Sequence, residues 1–140
     1  MDIKKLLIGG IVAGILFFLL GWLIYGNLLA DYMKNNPGTA TGVDRAEPDM
    51  LYLAIGNLLS GFMMAYIFIK ANVNTLANGL ITAAVVGLLL SASYDCIMYA
   101  TTNMASKRMM LADVLASTVM SAVIGAIVGM LMGKLNKPAA

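Results

Sequence analysis

Two aspartates, Asp95 and Asp113, stand inside apolar runs long enough to cross a bilayer. An ionisable side chain costs free energy in hydrocarbon, so one found there is read first as part of a proton, ion or solute site. Ser91 lies four residues before Asp95 and Ser117 four after Asp113. On a helix each serine therefore sits one turn inward of its acid. At ~1.5 Å per residue, Asp95 falls ~8 Å below Ala100 and Asp113 ~6 Å below Met109. The two match in depth if their helices are antiparallel. Asn57 and Tyr25 reach comparable levels in the other two apolar runs of a compact bundle. Asp95, Asp113, Asn57, Tyr25, Ser91 and Ser117 are thus the candidate proton- or solute-binding residues.

Two carboxyls at close range disfavour double ionisation and share a proton. Asp113 is near the N-terminus of its helix, where the macrodipole favours an anion, and Asp95 is near the C-terminus of its own. The expectation is that Asp95 carries the proton and Asp113 the charge, with Lys107 or Arg108 snorkelling back toward it. The alternative is that both acids are interfacial polar residues that hold helices together.

Other chemistries find little support. There is no histidine, and Cys96 is the sole cysteine. An intrachain disulfide and the usual zinc, copper and haem ligand sets are therefore missing, and neither a metal nor a cofactor is expected. The twelve methionines follow no paired spacing and read as flexible filler. Asp44, Glu47 and Asp49 match no calcium loop and read as a solvated acidic segment. No nucleophile motif argues for an enzyme. A net charge of +2 from scattered basic residues excludes a nucleic-acid surface.

The elements that must position these residues follow from composition. The chain has 140 residues, of which 61% are hydrophobic and 11% charged, and its mean hydropathy is +0.87. Four apolar segments, 6–29, 50–69, 76–100 and 109–133, each approach the ~20 residues that a spanning helix needs. A lone sheet would leave unsatisfied edges in lipid. The fold expected is all-α: a four-helix transmembrane bundle, up-down-up-down, in a single domain over 1–140. Short linkers make consecutive helices antiparallel neighbours, and the polar loop 30–49 is the exception. The first apolar run exceeds the ~7–15 residues of a signal-peptide core and reads as an uncleaved span.

Lys4, Lys5, Lys70, Lys134 and Lys137 fall on one side, and Lys34, Arg45, Lys107 and Arg108 on the other. By the positive-inside rule both termini are cytoplasmic and the loop is outside. Trp22 and Tyr25 then fit an aromatic belt. The expected setting is the inner (plasma) membrane of a cell, with the lipid bilayer as partner, a homo-oligomer, and a proton or small solute as ligand.

Small residues recur every four positions. Ala83, Gly87, Ser91 and Asp95 form one column, and Asp113, Ser117, Ser121, Gly125, Gly129 and Gly133 another. Such ridges let backbones approach where lipid offers no hydrophobic drive. Antiparallel packing places Asp95 by Asp113, Ser91 by Ser117, Gly87 by Ser121 and Ala83 by Gly125. The first helix offers Gly10, Gly14 and, further along, Gly21. The second offers Asn57, Gly61 and Ala65.

The stretch "LGWLIYGNLLADYMKNN", through Leu20, Gly21, Tyr25 and Gly26, resembles a family of small bacterial four-helix membrane proteins of uncharacterised function. The last span, "SAVIGAIVGMLMG", is similar too. The resemblance implies a bundle and no activity. A faint internal echo lays "MLYLAIGNLLSGF" over "MLADVLASTVMSA", with Asn57 on Ser117 and Gly61 on Ser121. Duplicated bundles are one transporter plan.

The orientation is open to a direct check. Single cysteines placed between Lys34 and Glu47, after replacement of Cys96, are expected to react with an impermeant thiol reagent added from outside. Labelling only from the cytoplasmic side would reverse the assignment.

Overall fold

All four apolar runs are helical in the computed structural model, which describes residues 2–136. Helix α1 (Ile3–Leu23) runs into a π turn (Ile24–Leu28) and the short α2 (Ala30–Asn35). Beyond the loop come α3 (Met50–Lys70), α4 (Leu76–Thr101) and α5 (Lys107–Leu135). Ile3–Leu28, α3, α4 and α5 are each long and apolar enough to cross a membrane. The molecule is a multi-pass membrane protein with an all-α, four-helix architecture, and no strand occurs among the described residues. Lys137, counted above for orientation, lies outside them.

Each long helix starts on a side-chain cap. Asp2 accepts from the Lys5 amide at 3.1 Å, Asp49 from Leu51 and Tyr52, Thr75 from Asn78, and Ser106 from Met109. These caps satisfy amides that the helix itself leaves open. The same Lys5 amide, with the Lys5 ammonium behind it, holds the Asp2 carboxyl below the usual carboxylate range. Helix α3 ends in a Schellman turn, in which Val73 N–H donates to the Phe68 carbonyl at 2.9 Å and Asn72 takes a left-handed φ of 56°. Asparagine tolerates that conformation, and buried Val73 supplies the apolar contact that accompanies it. At this end of the bundle Lys5 Nζ also donates to Asn136 Oδ1 at 2.5 Å, tying the start of α1 to the end of α5.

Helix pairing departs from the expectation that every consecutive pair packs side by side. The close pairs are α1 with α3 and α4 with α5, and α1 also meets α5. Helices α3 and α4 diverge from their short turn and leave a cleft of about 40 Å³ lined by Met63, Ile67, Val86 and Leu90 among others. The reason is steric. The small-residue stripes of α3 and α4 are spent on α1 and α5, which leaves bulkier side chains facing each other.

The stripes themselves are backbone contacts. A Cβ at Gly61 would overlap the Gly10 carbonyl oxygen and the Gly14 nitrogen. At Gly125 it would collide with Ala83 Cβ and the Gly79 carbonyl. Gly87 meets Ser121, and Gly129 meets Thr75 and Gly79. Gly21 has no such neighbour within 4 Å and takes no part in the seam. The two hairpins share a detail: a Cβ at Gly14 would lie 3.4 Å from the Asn57 carbonyl, and one at Gly87 would lie 3.4 Å from that of Ser117.

The core collects toward the end that holds the α3–α4 turn, where Phe68, Ile124, Val128 and Met132 are almost wholly buried. At the other end, the loop end, residues 50–56 of α3 are exposed on every side. On α1, Leu7, Ile11, Ile15 and Leu19 form an exposed stripe of the kind that lipid covers. The segment expected to be a plain polar loop begins with α2 and is then sewn onto the α4–α5 connection. Gly38 and Ala40 amides donate to the Met104 and Asn103 carbonyls at 3.3 and 3.0 Å, and Ser106 Oγ donates to the Asn36 carbonyl.

Gly125→Leu is expected to force the α4–α5 backbones apart and cost about 1–3 kcal/mol, the usual penalty for overpacking. Ile127→Leu, on a partly exposed face, should be nearly neutral. Thermal melting in detergent separates them, and equal melting points would dismiss the seam.

Candidate functional site

The column that zips α4 to α5 ends at the loop end in the two acids. Asp113 is in the second turn of α5, set by the Ser106 cap, and Asp95 is near the end of α4. The carboxyls of Asp95 and Asp113 lie close enough to feel each other's charge, and Tyr25 is near both. Tyr25 Oη and Ser117 Oγ are 2.9 Å apart. Asp95 Oδ2 is buried and without a hydrogen-bond partner. Four of the six candidate residues, Asp95, Asp113, Tyr25 and Ser117, therefore form one cluster where α1, α4 and α5 meet.

Ionised carboxylates only accept hydrogen bonds, so two held close together repel unless a proton or a cation offsets the charge. Among the described residues no cation pairs with either acid. Lys107 rests over the Tyr99 ring, 6.0 Å from its centre, and Arg108 reaches Asn36 Oδ1 at 3.5 Å. The ion pairs among the described residues are Lys5 with Asp2 and Arg45 with Asp49. The expected snorkelling of Lys107 or Arg108 to Asp113 is thus replaced by contacts on the loop-end surface.

Two candidates stand apart from the cluster. The Asn57 amide donates to the Leu53 carbonyl of its own helix at 2.8 Å, and its backbone packs on Gly14. Level alone did not bring it across, because α3 pairs with α1 and splays from α4. Ser91 Oγ donates to the Gly87 carbonyl at 2.8 Å, so its hydroxyl turns back along the helix instead of outward to Asp95.

The π turn is the feature that sequence reading missed. Leu29 N–H donates to the Ile24 carbonyl at 2.7 Å, and the Asn27 amide occupies the Trp22 carbonyl at 3.1 Å. The extra residue breaks the regular ladder, a local device often found at functional sites. Tyr25 lies within it and points inward, while Trp22 stays 62% exposed. Of the aromatic belt expected at this end of α1, Trp22 keeps the membrane-facing place and Tyr25 does not. The available signal was Gly26-Asn27 interrupting an apolar run.

A family model described as Protein of unknown function (DUF1761) matches residues 8–136. The chain belongs to that family. The match takes in most of the first span, the whole of the other three and every residue of the cluster. That the family has no assigned function agrees with what the resemblance of the first and last spans implied. No curated protein and no solved structure matches the chain. Among the described residues, no three acidic or cysteine side chains stand close enough together to hold a metal ion.

The Tyr25–Ser117 contact is expected to be one shared interaction. Tyr25→Phe and Ser117→Ala should each cost about 0.5–1.5 kcal/mol in detergent melts, and the double variant no more than either alone. Additive losses would show the hydroxyls to be independent.

Proposed function

We propose that this protein binds and exchanges protons at the Asp95–Asp113 pair and couples them to the passage or binding of a small solute or ion. The observation that carries the reading is the closeness of two carboxyls inside apolar spans, with Tyr25 and Ser117 completing a polar cluster and one buried carboxylate oxygen left unpartnered. The shared proton keeps the pair singly charged. The free oxygen is an acceptor for a solute donor or a water. Proton loss would leave two facing anions, whose repulsion favours either cation entry or separation of α4 from α5.

The remaining parts of the reading are consistent with this. Four helices are few to enclose a pathway, and the end opposite the cluster is filled by Phe68, Ile124 and Val128. Passage therefore calls for a homo-oligomer or for an opening along the α3–α4 cleft. The lysine distribution supports an inner (plasma) membrane location with both termini cytoplasmic and the loop end outside. No enzymatic step is proposed. The tightly filled half of the bundle favours a second reading, an assembly protein without transport activity in which the acids serve as glue.

Proton binding divides the two. Difference infrared spectra of the native protein should contain a protonated-carboxyl band that alkali removes, and Asp95→Asn should abolish it. The same substitution should shift the melting point little, because the amide keeps the shape and a donor of the protonated acid, whereas Asp113→Asn should change the pH at which the band titrates. Absence of the band, or a band untouched in Asp95→Asn, would leave the assembly reading.

A further inference from the structure

A separate groove runs along the loop-end part of α5, and neither acid lines it. Its volume is about 400 Å³, and Ala112, Ala116, Leu111, Leu115 and Leu29 line it, with Tyr32 and, from the first turn of α5, Arg108. The alanines make the hollow. Leu111 and Leu115 are 58% and 67% exposed, so this face has no cover within the chain. Arg108 has no carboxylate partner among the described residues, and its bond to Asn36 is long, at 3.5 Å. Lys107 precedes it, and both sit in the first turn of α5, where the helix dipole adds positive potential.

We propose that an anionic phospholipid of the loop-end leaflet occupies this groove, its phosphate on Arg108 and an acyl chain along Ala112 and Ala116. The charge distribution matches such an amphiphile: positive above, apolar for the ~12 Å that eight helical residues span below. A soluble anion would leave the apolar part unused. A second copy docked on the same face by twofold symmetry would set Arg108 near Arg108, which opposes association. Guanidinium groups suit phosphate because they offer paired donors.

The test titrates the purified full chain in maltoside detergent with dioleoylphosphatidylglycerol, dioleoylphosphatidylcholine or inorganic phosphate, following the melting point. Phosphatidylglycerol is expected to raise it saturably, with phosphatidylcholine weaker and phosphate inert. Arg108→Gln should raise the half-saturating lipid concentration about fivefold, the equivalent of ~1 kcal/mol for one cation near an anionic headgroup. Ala112→Phe, which fills the groove and keeps the charge, should weaken it at least as much. Equal responses to the two lipids, or a response to phosphate equal to that of phosphatidylglycerol, would overturn the proposal. So would native-like titration of either variant, or light scattering that shows a dimer dissociated by Ala112→Phe.

Discussion

Helices in lipid gain nothing from hiding apolar surface, because the tails around them are as apolar as leucine. What holds this bundle is close approach of backbones. Gly61 fits between Gly10 and Gly14, and Gly125 lies against Ala83 and Gly79. These contacts admit no side chain, so they fix register as well as proximity. Once Gly87 is set against Ser121 and Ala83 against Gly125, the two residues that end the columns have no freedom left. Asp95 must arrive at Asp113. The acidic pair is thus a consequence of packing several turns away.

The same environment explains how the remaining polar side chains behave. Ser60, Ser91, Thr101 and Thr118 each donate to the carbonyl four residues back, at 2.6–3.0 Å. Asn57 does so as well. A hydroxyl or amide in hydrocarbon with no partner across the interface turns to its own backbone, which is always within reach. A carboxylate has no such recourse, since it cannot donate to a carbonyl unless protonated. Asp95 and Asp113 therefore need each other, a proton, or both. Beside them, the Tyr25 and Ser117 hydroxyls reach across helices to each other.

Local pattern carried a good part of this. Span number and length follow from hydropathy, and the α4–α5 register follows from columns repeating every four residues, although the columns continue to Gly79 and Thr75, which the sequence reading did not include. Pattern failed where a choice between surfaces decides. The short link between α3 and α4 made them look like close neighbours. Which face of α3 packs depends on Gly61 fitting α1 better than Met63 and Ile67 fit α4, a comparison across helices that no single segment contains. The placement of Asn57 failed for the same reason. The π turn and the docking of residues 36–40 on the α4–α5 connection rest on individual hydrogen bonds, from Asn27, Gly38 and Ala40, which leave no periodic trace.

Comparison of the two hairpins shows where chemistry was added to a common frame. Gly14 meets the Asn57 carbonyl as Gly87 meets that of Ser117, so the frame is shared. Asp95 lies eight residues beyond Gly87; eight beyond Gly14 is Trp22, which faces outward. Asp113 lies four before Ser117; four before Asn57 is Leu53, also exposed. The first hairpin thus carries no acid at either matching site and has no pair to satisfy. Its contribution is Tyr25, three residues past Trp22 and inside the π turn. One inserted residue rotates the remainder of the helix by ~100° about its axis, enough to separate the direction of Tyr25 from that of its lipid-facing neighbours. A straight α1 would keep the direction of Tyr25 in register with the lipid-facing residues before it. The π turn lets its end reach Ser117 of the second hairpin, and it brings a neutral hydroxyl to a place where a further charge would have no counterion.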